Sequence, residues 1–203
     1  MRVSRASRSA IRAFPLVLTA ALAASPALGA SRSIDASRST ITVRVGKSGL
    51  FSAFGDNHEI RASIASGKVD DGPQPSVELA IDAKGMKVLD PKLAPEKRAE
   101  VQAKMLGPDV LDVERYAEVR FRSTSVKPAG TEGHWRVEGV LELHGTSAPV
   151  AFDVTVADGR VQGSAPVSQK AFGIPPISAA GGTIKVRDEV RIEFDVLLEP
   201  PAP

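Results

Sequence analysis

The sequence predicts an all-β fold of about eight antiparallel strands with one short inserted helix. The main observation is that apolar and polar residues alternate along most of the chain, which is typical of strands with one buried face. Gly, Pro, Asp and Asn separate the successive runs, as tight turns require. A sandwich and a closed barrel both accommodate this pattern. We favour the eight-stranded barrel, because closure removes exposed strand edges and can leave a lumen for one small ligand.

Each strand is predicted from the residues that share one of its faces. In TITVRV, for example, Ile41, Val43 and Val45 point to the same side. The alternating runs are TITVRV (40–45), IRASIASGKV (60–69), SVELAID (76–82), EVRFRSTSV (118–126), HWRVEGVLELHG (134–145), PVAFDVTVADG (149–159), RVQGSAPVS (160–168) and EVRIEFDVLL (189–198). The segments DDGPQP, KPAGTEG, HGTSAP and ADGR lie where one run gives way to the next, in part overlapping the ends of the runs, and predict hairpin turns.

One segment breaks the alternation and predicts the helix. In PKLAPEKRAEVQAKMLG, Pro95 suits the first turn of a helix, and good helix formers follow it. Val101 and Met105 are four residues apart and would lie on one helix face. We therefore predict a helix over Glu96–Leu106.

The first thirty residues predict a cleaved secretory signal peptide. Four Arg lead into the apolar run AFPLVLTAALAASPALGA, which ends in small residues, and we expect cleavage near Gly29 or Ala30. Residues 31–203 then form one domain, in the periplasm or secreted. Subtracting the four Arg of the leader from 26 leaves 22 basic against 24 acidic side chains, a net charge of −2. This balance gives no support to nucleic-acid binding.

The stretch SAFGDNHEI contains the chain's densest group of polar side chains that could do chemistry. Asp56, Asn57, His58 and Glu59 are consecutive, and in an extended chain their side chains would alternate between opposite faces. A turn is therefore the favoured interpretation, and a metal site or catalytic site centred on His58 is the alternative. The chain has no Cys and no Gly-x-Ser-x-Gly motif. We predict no enzyme activity, no bound metal and no cofactor.

The aromatic residues are few, and most lie on the apolar faces of predicted strands. Phe121, Trp135, Phe152 and Phe194 do so, whereas Phe51, Phe54 and Phe172 fall at strand ends or in loops. Periodicity alone favours an ordinary packed core for them. The functional alternative is that they line an apolar lumen.

Two segments resemble the YceI family of exported bacterial lipid-binding proteins. They are DVLDVERYAEVRFRSTSV (109–126) and VEGVLELHGTSAPVAFDV (137–154), and the resemblance extends from Ile34 to about Leu198. The positions that match the family pattern are Asp112, Tyr116, Phe121, Ser123, Thr124, Gly139, Leu141, Leu143, Gly145, Pro149 and Val150. The resemblance implies a lipocalin-like barrel with a helix at its side, whose apolar interior holds a polyisoprenoid or a similar long amphiphile.

On this resemblance we expect a non-enzymatic carrier or scavenger of a long-chain isoprenoid-type lipid, such as an isoprenoid quinone. The expected ligand-binding residues are Phe51, Phe54, His58, Phe121, Trp135, Leu141, Phe152, Phe172 and Phe194. At the mouth, His58, Arg61 or Lys47 would meet the head group. The rival expectation is a stress-response or protein-interaction module with a packed barrel. The sequence does not decide whether the protein forms a homodimer, contacts a membrane peripherally or uses Lys170–Val186 as a lid.

Overall fold

The computed structural model describes residues 31–48, 57–179 and 184–200. Its helix, α1, spans Pro95–Leu106, and single 3₁₀ turns lie at Ala36–Arg38 and Lys170–Phe172. The strands in this part of the chain are β1 Ser31–Ser33, β2 Thr40–Ser48, β3 His58–Asp70, β4 Ser76–Val88, β5 Glu118–Pro128, β6 His134–Leu143, β7 Thr146–Ala157, β8 Arg160–Ser168, β9 Ser178–Ala179 and β10 Ile184–Leu197.

Eight of these strands close into an antiparallel barrel. They follow the order β3, β2, β10, β8, β7, β6, β5 and β4, and β4 pairs back with β3 to complete the ring. The two short strands lie outside the ring, where β1 pairs with β3 and β9 pairs with β10. The structure thus confirms the predicted all-β, eight-stranded antiparallel barrel with one short helix.

The segment HGTSAP forms a shorter turn than predicted. The turn between β6 and β7 consists of His144 and Gly145, which both have positive φ, 52° and 70°. Turns of this mirror-image kind match the twist of the flanking strands and need only two residues. Thr146 and Pro149 therefore lie within β7 instead of in the turn.

The two ends of the barrel are built differently. The hairpin end carries the turns β3–β4, β5–β6 and β7–β8, and the chain's first described segment crosses it. Three backbone hydrogen bonds fix that segment: Ile34 N to Gly67 O at 3.0 Å, Asp35 N to Leu197 O at 2.9 Å, and Glu199 N to Ser33 O at 2.8 Å. The opposite, helix end carries the β6–β7 turn and the longer connections, including α1 and residues 169–177.

The inward face of the barrel is apolar and the outward face is charged. Buried residues such as Ile41, Val137 and Val196 form one continuous core with Met105 of α1. On the outside, Arg44 bridges Glu59 and Glu193 on the two neighbouring strands. Among the described residues, no helix has the length and apolar character that crossing a membrane requires.

Candidate functional site

The barrel encloses a cavity of about 700 Å³. Inward-facing side chains from all eight barrel strands line it, and nearly all of them are apolar. One representative from each strand, in chain order, is Ile41, Ile60, Ile81, Phe121, Leu141, Phe152, Val167 and Phe194. A cavity with such a lining offers water few hydrogen-bond partners and suits an apolar ligand.

Three Phe rings form a row across the cavity wall. The ring centroids of Phe121 on β5 and Phe152 on β7 are 5.5 Å apart. Those of Phe152 and Phe194 on β10 are 5.4 Å apart, with the rings edge to face. Both distances are typical of favourable aromatic pairs. The row therefore forms one continuous aromatic surface on this side of the cavity.

Two glycines on the intervening strands make room for this row. A Cβ atom at Gly139 on β6 would lie 2.5 Å from Cε2 of Phe121. A Cβ atom at Gly163 on β8 would lie 2.8 Å from Cζ of Phe194. Because both positions lack a side chain, the rings of Phe121 and Phe194 occupy the space that a Cβ atom would take. A larger residue at either glycine would push the neighbouring ring away from the wall.

Six of the predicted ligand-binding residues line the cavity. They are His58, Phe121, Trp135, Leu141, Phe152 and Phe194. Phe172 does not line it: this ring is only 1% exposed and packs in the core at the helix end. Phe51 and Phe54 lie outside the described residues. That these side chains contact a ligand stays a prediction.

Several lining residues come from connections between the strands and were not predicted from the sequence. Ile174, Pro175 and Ile177 follow β8, and Val101 and Met105 belong to α1. The spacing of Val101 and Met105 indicated a buried helix face, although it could not show what that face covers. The segment with Ile174 has no period, so its direction could not be predicted.

Asp188 anchors the connection that contributes Ile174. Its carboxylate accepts the backbone N–H of Lys170 at 2.8 Å and the hydroxyl of Ser168 at 2.8 Å. These two hydrogen bonds lower the pKa of Asp188 below its ordinary value, because they stabilise the ionised form. The start of the connection is therefore fixed to β10.

His58 lies at the helix end, where it pairs with a buried carboxylate. His58 Nδ1 is 2.6 Å from Asp90 Oδ2, and the Asp90 side chain is only 4% exposed. Asp90 also accepts the backbone N–H of Glu59 at 2.8 Å. The Glu59 carboxylate accepts a hydrogen bond from Arg44 at 2.8 Å on the outer face. The side chains of His58 and Glu59 therefore do not come together in one polar site.

Arg61 and Lys47 were also predicted to meet the head group at the mouth of the barrel. Arg61 is exposed and does not line the cavity. The side chain of Lys47 lies outside the described residues. Within the described ranges, no group of three or more His, Asp or Glu side chains could hold a metal ion.

The cavity reaches the surface at both ends of the barrel. At the hairpin end, Arg32, Asp71 and Ser76 contribute to its lining. At the helix end, the exposed residues Glu100 and Lys104 of α1 do so. The arrangement is an apolar chamber with polar groups at its ends, which matches the two parts of an amphiphile.

The comparisons with known proteins agree with this architecture. The family profile described as YceI-like domain matches residues 33–198. A UPF0312 protein of Pseudomonas putida (strain W619) is 44% identical over 57 residues, which are 28% of this chain and 29% of that relative's length.

Two solved structures show the same fold. BcnA of Burkholderia cenocepacia aligns with a TM-score of 0.64 at 21% identity, over 82% of this chain and 99% of that one. A polyisoprenoid binding domain from Saccharophagus degradans, described as implicated in plant cell wall breakdown, aligns with a TM-score of 0.55 at 13% identity. That alignment covers 85% of this chain and 99% of the other.

Proposed function

Because the chain belongs to the YceI-like domain family, we propose that it is an exported, non-enzymatic carrier of a long-chain isoprenoid-type lipid. The observation that carries this proposal is the apolar cavity of about 700 Å³, to which every barrel strand contributes. Its volume is in the usual range of about 300–1,000 Å³ for ligand sites. The description of the Saccharophagus degradans domain as polyisoprenoid binding supports this ligand class.

The affinity would come mainly from burying the lipid chain. Each methylene group that leaves water contributes about 0.8 kcal/mol before the cost of ordering the chain. The row formed by Phe121, Phe152 and Phe194 offers flat apolar contact along the wall. Polar groups at the two ends would hold or solvate the head group.

Two rival functions make different demands on the structure. A protein-interaction module with a packed barrel requires a filled interior, and the cavity argues against it. An enzyme or metal protein centred on His58 requires other reactive groups beside that ring. The hydrogen-bond partner of His58 is Asp90. This pair joins the start of β3 to the segment after β4, which supports a structural role for His58.

Location outside the cytoplasm is part of the proposal, and the composition of residues 1–30 supports it. The test is to express the full chain in a bacterial host, purify the protein from the envelope without detergent, and extract it with organic solvent. We expect mass spectrometry to find a near-stoichiometric polyisoprenoid or isoprenoid quinone in the extract. The intact mass should correspond to cleavage near Ala30.

A well-folded protein that yields no lipid would contradict the carrier function and favour the interaction module. A metal that survives purification, with loss of an activity in His58→Ala, would favour the rival centred on His58. An uncleaved protein in the cytoplasm would contradict the proposed export alone.

A further inference from the structure

Among the described residues, the wall of the barrel is interrupted at the helix end between β4 and β5. Pairing between β7 and β8 also ends, at Val154 opposite Gly163, and there the 3₁₀ turn Lys170–Phe172 packs against both strands. Pairing between β4 and β5 ends at Asp82 opposite Glu118, and one further hydrogen bond joins Ala83 N to Ala117 O at 3.0 Å. β4 continues to Val88 and pairs there with β3 on its other side. In the described part of the chain, residues 84–88 thus have no strand on the β5 side.

A side chain from α1 takes the place of the missing strand. The amide oxygen of Gln102 accepts the backbone N–H of Val88 at 2.8 Å, and its amide nitrogen donates to the carbonyl of Met86 at 2.8 Å. Met86 and Val88 are two residues apart, so both groups point to the same edge of β4. One Gln side chain therefore satisfies the edge groups that a neighbouring strand would otherwise pair.

The helix that carries Gln102 covers the interruption from outside. Val101 and Met105 on one face of α1 line the cavity. Glu100 and Lys104 are exposed and also line it, so α1 alone separates this part of the cavity from solvent. Moving α1 away would open the chamber sideways between β4 and β5.

Few polar contacts hold α1 against the barrel. Among the described residues, its ion pairs join Lys97 to Glu100 within the helix and Lys104 to Asp109 just after it, and none reaches a barrel strand. Besides Gln102, Arg98 donates to Leu89 O at 3.3 Å, directly after β4. By contrast, the segment that crosses the hairpin end is fixed by backbone hydrogen bonds to the barrel. Opening should therefore cost less free energy at α1.

We propose that the lipid enters and leaves the cavity sideways, between β4 and β5, when α1 moves away, and that Gln102 is the positioning residue that keeps this portal closed. The proposal rests on the proposed function, because it requires a lipid in the cavity. The portal is defined by residues 84–88 of β4 together with α1.

The test replaces the hydrogen-bonding side chain by an apolar one of similar shape, Gln102→Met. On this proposal the portal is closed both before and after the lipid binds, so loss of the two hydrogen bonds cancels from the dissociation constant Kd and speeds both directions of exchange. We expect the association and dissociation rate constants each to rise about tenfold, with Kd changed less than about threefold. The probe is dansyl-labelled geranylgeraniol, followed in stopped flow by energy transfer from Trp135, the only Trp of the chain.

A matched control makes the same substitution away from α1. Gln162 on β8 is exposed, does not line the cavity, and donates a hydrogen bond to the Asp195 carboxylate at 3.0 Å. We expect Gln162→Met to exchange the probe at the unaltered rate. Acceleration by Gln162→Met alone, equal rates in all three proteins, or a weaker Kd for Gln102→Met through dissociation alone would overturn the portal. If the unaltered protein does not bind the probe, the proposed function fails as well.

A measurement on the unaltered protein keeps the proposal testable if Gln102→Met does not fold. Amide hydrogen exchange reports how often each backbone N–H opens. We expect Val88 to exchange through a local opening, faster than Val137, because β6 is paired at Val137 with strands on both sides. Exchange of Val88 only through global unfolding would overturn the portal.

Discussion

Leu141 and Val140 are neighbours on β6 that face opposite sides of the barrel wall. Leu141 is buried and lines the cavity, whereas Val140 is 39% exposed on the outer face. We expect Leu141→Trp to fill part of the chamber and to weaken binding of the dansyl probe about tenfold or more, because a lipid chain and the indole compete for the same volume. The measurement is a fluorescence titration at equilibrium.

Val140→Trp is the matched control, since it adds the same side chain on the outside of the same strand. We expect it to leave the Kd of the probe unchanged. Thermal unfolding of both variants shows whether the fold is retained. Unchanged binding by a folded Leu141→Trp protein would place the ligand outside the cavity.

Gly139 illustrates which features of the cavity wall could be predicted from the sequence at a single position. Alternation placed Gly139 on the same face as Trp135, Val137 and Leu141, and these three residues do line the cavity. Periodicity could not show that the ring of Phe121 lies over Gly139, because that contact joins two strands. The hollow interior depends on such contacts, so the choice between a packed core and a lumen stayed open at the sequence level.

Asp188 determines how the connection after β8 responds to pH. Hydrogen bonds from Lys170 N–H and the Ser168 hydroxyl lower its pKa in the folded state. The stabilisation is fully present above the ordinary Asp pKa of about 3.9 and is lost as the pH falls through the lowered folded-state value. We expect Asp188→Asn to reduce the free energy of unfolding at neutral pH, and the difference from the unaltered protein to shrink in acid.

Urea unfolding at a series of pH values measures this difference. Ser168→Ala removes only one of the two donors to the carboxylate, and we expect the same trend with smaller amplitude. A difference between Asp188→Asn and the unaltered protein that stays constant from neutral to acidic pH would contradict the assigned role of the carboxylate.

Strands and connections differ in how well the sequence predicted them. Six of the eight barrel strands were predicted from clear alternation and β3 and β8 from weaker runs, whereas α1 was predicted from Pro95, good helix formers and the spacing of Val101 and Met105. The strands β1 and β9 have three and two residues, too few for any period to appear. The role of Gln102 was also missed, since a polar residue on a helix normally faces water and only its partners on β4 show otherwise.

At the scale of the molecule, closure and an open interior have opposite effects on stability. Closure pairs the barrel strands into a ring, with gaps at the helix end beside the segment of β4 that Gln102 covers and between β7 and β8. The cavity removes packing contacts that a filled core would make, and such voids reduce stability. With no Cys, the chain has no disulfide to compensate. A lipid in the chamber would restore the lost contacts.

We therefore expect the lipid to stabilise the whole fold. A ligand that binds only the folded state, at about one hundred times its Kd, adds about 2.7 kcal/mol to the free energy of unfolding. For a chain of this size, that gain raises Tm by roughly 5 to 10 °C. Differential scanning calorimetry of the delipidated protein with and without geranylgeraniol measures the shift. At the same lipid concentration, a tenfold weaker Kd leaves about 1.4 kcal/mol of this gain, so Leu141→Trp should lose about half of the shift or more and Val140→Trp should keep it. An equal shift in both variants would mean that the alcohol acts at the surface, because only the cavity distinguishes the two side chains.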